Sequence, residues 1–158
     1  MSKQFSDPGF NRGNQFSRQD DDFILKKAQA YAPVISQILD LDSATTEHIK
    51  TGVEKIEELV KSNASVKTHQ IRNVFNLIRD TTTKREPTKE LNKLRPKLAY
   101  IGARQSDMSG KIIVKVVDEL IVKITSSKAS EQAKLLDGLR YVMESIVAYH
   151  KFYSKEKD

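Results

Sequence analysis

Apolar residues recur every three or four positions in one segment of this chain after another, a period that selects an amphipathic helix over a strand. Ile49, Val53, Ile56 and Val60 show it, as do Ile71, Val74, Phe75 and Ile78, and then Leu91, Leu94, Leu98 and Ile101. The β-branched run from Ile112 to Val117 is the one stretch that resembles a strand. Its helical spacing nevertheless continues through Leu120 to Ile124. With no Trp, 6 Gly and 4 Pro among 158 residues, little competes with helix formation.

Helices are predicted over 22–39, 46–61, 68–80, 88–105, 109–125 and 130–153, with the TTTKREPT segment from Thr81 read as a loop. Asp20, Asp21 and Asp22 read as N-terminal caps of the first and Thr68 as the cap of the third. Pro33 and Pro96 should kink or interrupt their helices, whereas Pro87 suits a helix start. The last helix is nearly apolar in its middle, from Leu135 to Val147, and is expected at the centre of the bundle. Residues 1–19, rich in Gly, Asn, Gln and Ser around Phe5, Phe10 and Phe16, read as a flexible, disordered polar arm. The expected architecture is therefore all-α: a compact helical bundle of about five to six helices formed by a single domain over 20–158, preceded by that arm.

Several function classes find no support. The absence of Cys excludes disulfides, thiol catalysis and Cys-based zinc sites. His48, His69 and His150 belong to three different helices and form no metal-binding spacing, so structural or surface roles are assigned to them. Neither a phosphate-cradling glycine loop nor a nucleophile elbow is present, and no run is apolar enough to span a bilayer. The reading is a binding protein without catalytic residues, metal or cofactor. A cytoplasmic location is expected, since the N-terminus has no apolar signal core.

Charge is the positive signal. The net charge is +6, and it is concentrated: residues 67–104 hold 10 Lys/Arg against 3 Asp/Glu. A basic block within helices suits a polyanion, although a solvated lysine-rich surface would look the same. Arg72 and Arg79, seven apart, share a face with Asn76 between them. Lys89, Lys93, Lys97 and Arg104 form a row opposite the leucine stripe of the fourth helix. Such a row suits contacts to a nucleic-acid backbone, and a single strand fits it better than a DNA groove. The uncharged segment Leu98–Ala103 implies burial on more than one side, so Tyr100 is assigned to the core rather than to base stacking.

Three segments, in this order, carry a family resemblance: Thr68-His-Gln-Ile-Arg-Asn-Val-Phe75, Leu94-Arg-Pro-Lys-Leu-Ala-Tyr-Ile-Gly-Ala-Arg104 and Ser145-Ile-Val-Ala-Tyr-His-Lys-Phe-Tyr153. Over about residues 45–155 the chain resembles the small subunit of type III-A CRISPR effector (Csm) complexes. The long polar arm departs from shorter members. The resemblance implies a non-catalytic helical bundle that stacks in several copies and binds the backbone of guide and target RNA in antiviral defence. Its implied partners are the backbone subunits, the large signature subunit and further copies of itself. Arg72, Arg79, Lys97 and Arg104 are the leading RNA-binding candidates, followed by Lys67, Lys93 and Arg95, with Lys151 behind them. The alternative is a helical adaptor that binds an acidic protein without RNA.

Overall fold

The computed structural model describes residues 8–104 and 107–155, with side chains from Arg18 onward. Six helices make up the described chain: α1 (Pro8–Ser36), α2 (Thr46–Ser62), α3 (Thr68–Thr82), α4 (Pro87–Ala103), α5 (Met108–Thr125) and α6 (Ala129–Tyr153). The all-α expectation holds, and α2 to α6 begin and end within about three residues of the predicted bounds. No strand occurs among the described residues.

The helices contact one another in the cyclic order α1, α2, α6, α3, α4, α5, with α5 closing back onto α1. Helix α5 also reaches α6 and α2 across the ring, so α5, not α6, is the central element. The physical reason lies in its circumference. Ile112, Ile113, Val114, Val116, Val117, Leu120, Ile121 and Ile124 are all buried, pointing in several directions around the axis. Helix α6 buries a single stripe, Leu136, Leu139, Val142, Met143 and Ile146, against α2 and α3.

Local signals were overridden at several points. Asp20–Asp22 do not cap α1 but lie within it, because the helix begins upstream at Pro8. The arm expected over 1–19 falls largely on residues whose side chains are not described. Helix α1 continues past Pro33 to Ser36, whose hydroxyl donates to the Pro33 carbonyl at 2.8 Å. Thr68 is the first residue of α3, not its cap; Lys67 occupies the cap position and makes no side-chain capping bond. Helix α4 runs through Pro96 without a break. The carbonyl that Pro96 cannot reach is that of Asn92, and both residues are exposed, so water can satisfy it.

Two close approaches set the bundle's geometry. Gly138 of α6 packs on the backbone of Leu39, leaving no space for a Cβ. Gly102 of α4 faces Val114 of α5, where an added Cβ would stand 3.3 Å from Cγ1. A glycine at each crossing lets the backbones come together, as small residues generally do at tight helix contacts.

A candidate nucleic-acid interface between helices three and four

Helices α3 and α4 form an antiparallel pair joined by a short loop, so the start of α3 lies beside the end of α4. A groove of about 390 Å³ opens there. Its α4 wall carries Lys97, Tyr100, Ile101 and Arg104, and its α3 wall carries His69, Gln70 and Asn73. Lys97, Tyr100 and Arg104 are spaced i, i+3, i+7 and therefore line one side of the helix. His69 and Asn73, four apart, do the same on α3.

Tyr100 corrects an expectation. It is 62% exposed rather than part of the core. The uncharged segment needs only Leu98 and Gly102 on its buried side, with Ile101 half-buried; Ala99 and Ala103 are exposed with Tyr100. The small residues serve the close contact of Gly102 with Val114, not burial all round. The Arg104 guanidinium carbon lies 5.7 Å from the centroid of the Tyr100 ring, a cation–π arrangement.

The groove's rear is fixed by polar ties. Nε2 of His150, itself buried on α6, lies 2.7 Å from the Val66 carbonyl just before α3 and donates to it. Ser65 donates to Asp107 Oδ2 at 3.0 Å, and Asp107 in turn accepts from the backbone amides of Ser109 and Gly110 at the start of α5. The loop before α3 is thus held both by α6 and by the turn that follows α4. Of the three histidines, His150 has a structural role, and it comes from the third quoted segment. His69 and the amides Gln70 and Asn73 were not foreseen as groove residues. Their only sequence signal was a location on the first quoted segment.

The predicted basic residues do not form one cluster. Lys97 and Arg104 meet in the groove, and neither has an ion-pair partner among the described residues. Lys93 lies one turn before Lys97 on the same side but pairs with Glu90 at 3.5 Å, and Lys89 pairs with Glu86 at 3.7 Å. Unpaired positive charge on α4 is therefore concentrated at its groove end. Arg95, two residues before Lys97, points about 200° away from it. Its Nε donates to Asp118 Oδ1 at 2.8 Å and its Nη2 to Oδ2 at 3.3 Å, a bidentate pair that ties α4 to α5. The hydrogen bond to Asp118 raises the Arg95 pKa above its ordinary value. Arg72 and Arg79 occupy another strip of α3 and do not line the groove. Arg79 sits 5.6 Å from the Phe75 ring centroid and 3.4 Å from Asp80. Lys67 is exposed at the head of α3, and Lys151 is exposed near the end of α6.

A second depression, about 580 Å³, lies between α1, α4 and α5 near Asp21, Pro96, Lys111 and Asp118. Among the described residues no cluster of three or more His, Asp or Glu is arranged to hold a metal, and no helix is long and apolar enough to cross a membrane.

Comparison with known proteins agrees with the resemblance read from the three segments. Neither the curated proteins nor the solved structures yielded a match. The family described as Csm2 Type III-A matches residues 42–156, which takes in α2 to α6, both walls of the groove and the ties behind it. The match covers well over half the chain, and all three quoted segments fall within it. The chain thus belongs to the Csm2 Type III-A family, the small subunit of the type III-A CRISPR effector (Csm) complex.

Proposed function

We propose that this subunit is non-catalytic and binds the backbone of guide and target RNA within the cytoplasmic effector. In this reading several copies stack along the assembly, beside the backbone subunits and next to the large signature subunit, in antiviral defence. The observation that carries it is the α3–α4 groove: Lys97 and Arg104 are solvent-facing cations without acidic partners among the described residues, at the edge of a cleft whose adjoining loop is hydrogen-bonded to α6 and to Asp107. An unneutralised guanidinium suits phosphate oxygens, which it meets with a planar fork of donors. Family membership supports the setting, because a subunit of an RNA-guided effector lies near RNA. Arg72, on its own strip of α3, is the leading candidate for a second contact, and Arg79 joins it once released from Asp80.

The test uses assembled effector containing Lys97→Glu with Arg104→Glu, with target RNA retention followed as salt is raised. Weaker retention and a shallower salt dependence support the reading. Unchanged retention at every salt concentration would leave the groove with a protein partner, as the adaptor alternative requires.

A further inference from the structure

The groove contains more than a phosphate needs. A backbone contact uses cations, and Lys97 and Arg104 supply them, about 10 Å apart along α4 by the rise of the helix. It has no use for a tyrosine ring that remains 62% exposed. Nor does it need the side-chain amides of Gln70 and Asn73, which face the cleft and make no hydrogen bond among the described residues. These amides offer both donors and acceptors, the pattern that reads a base edge. Arg104 covers one face of the Tyr100 ring, where it can also hold a nearby phosphate; with the ring 62% exposed, the opposite face offers a stacking surface. At about 390 Å³ the cleft is at the small end of ligand sites, roughly 300–1,000 Å³, a size for one nucleoside rather than a duplex.

We infer that the groove receives a single unpaired nucleotide of RNA, its base stacked on Tyr100 and facing Gln70 and Asn73, its phosphate held by Lys97 and Arg104. This deepens the RNA reading above and rests on it. Bases within a helix have their faces covered and their pairing edges engaged, so only an unpaired or extruded nucleotide can use this combination. A purely apolar partner would leave the two cations desolvated and unpaired. Tyr100 is thus a specificity-determining residue that distinguishes unpaired from paired RNA, while the cations serve both.

The experiment compares the full-length chain with Tyr100→Ala and Tyr100→Phe, using a short single-stranded RNA with one 2-aminopurine and the same RNA annealed to its complement. Circular dichroism controls for folding. Tyr100→Ala should weaken single-strand binding about ten-fold or more, the scale of one lost stacking contact. Its salt dependence and its binding of the duplex should be unchanged. Tyr100→Phe keeps the ring and should bind the single strand almost as well as the unaltered chain, with 2-aminopurine emission quenched in both and not in Tyr100→Ala. Equal single-strand binding by all three proteins would overturn the stacked base while leaving a Lys97→Glu/Arg104→Glu loss to support backbone binding. A Tyr100→Ala loss that is equal for strand and duplex would also overturn it. No binding of either RNA by the unaltered chain would overturn the RNA reading itself, and the nucleotide site with it.

Discussion

His150 and Val66, 84 positions apart, are joined by a 2.7 Å hydrogen bond from the imidazole Nε2 to the backbone carbonyl. The bond connects the third quoted segment to a residue two positions before the first. His150 is almost completely buried, so the Val66 carbonyl has no ready access to water. Replacing His150 with Phe should strand that acceptor and cost about 1–3 kcal/mol in urea unfolding. His150→Gln, which can donate again, should recover part of the loss. Equal stability of His150→Phe and the parent would show that the bond does not hold the loop.

Gly138 and Gly102 should respond differently to alanine, although both lie within helices and face a neighbour. A methyl at Gly138 collides with the backbone of Leu39, which cannot rotate away, and Gly138→Ala should destabilise by about 2 kcal/mol or more. At Gly102 the obstacle is a valine side chain at 3.3 Å, which a small adjustment relieves. The gain of about 1 kcal/mol in helix propensity opposes the crowding there. Gly102→Ala should stay within about 1 kcal/mol of the parent in thermal or urea unfolding, and a loss as large as that of Gly138→Ala would contradict the distinction.

Arg95 should behave as a structural residue. Asp118 is 15% exposed and has Lys115 at 3.6 Å as a second partner, so losing Arg95 does not leave the carboxylate alone. A double-mutant cycle with Arg95→Ala and Asp118→Ala should give a coupling of about 1 kcal/mol, between the surface and buried limits for ion pairs. Arg95→Ala should leave the salt dependence of RNA binding unchanged, and a flattened slope would return Arg95 to the RNA-binding set.

The groove pair should act on the salt dependence itself. Each single-strand phosphate contact contributes about −0.7 to the slope of log affinity against log salt. Lys97→Gln with Arg104→Gln removes both cations that hold the one phosphate and should therefore make the slope shallower by about 0.7. Arg72→Glu with Arg79→Glu should leave folding intact and weaken RNA association, as expected for a second, separate strip of α3. Titration of each pair over a range of salt distinguishes one basic surface from two. If the arginine pair has no effect in the assembled effector, the groove alone carries the contact.

Much of this protein could be read from periodicity. The 3.6-residue spacing of Ile, Leu and Val dictates which segments are helical and which stripe of each is buried, because both depend on residues close in sequence. Ile71, Val74 and Ile78 were named as core on that basis and are buried. The ordered segments that include Thr68–Phe75 and Leu94–Arg104 also sufficed to indicate the family.

What periodicity cannot convey is the neighbour that each remaining face meets. Arg95 and Lys97 look alike in a count of basic residues, yet a 200° rotation sends one to Asp118 on α5 and leaves the other at the groove. Tyr100 lies in an uncharged run that reads as buried, but α3 and α5 flank α4 without covering the side it occupies. The expectation that α6 is central failed for a similar reason. Centrality is decided by how many helices surround an element, and α5 meets α1, α4, α6 and α2. Sequence alone determined helices α2 to α6, their buried stripes and the family, because those are local patterns. Tertiary structure decided that Arg95 is neutralised by Asp118, which aromatic is exposed and which side chains share a cleft, because each depends on a partner tens of residues away.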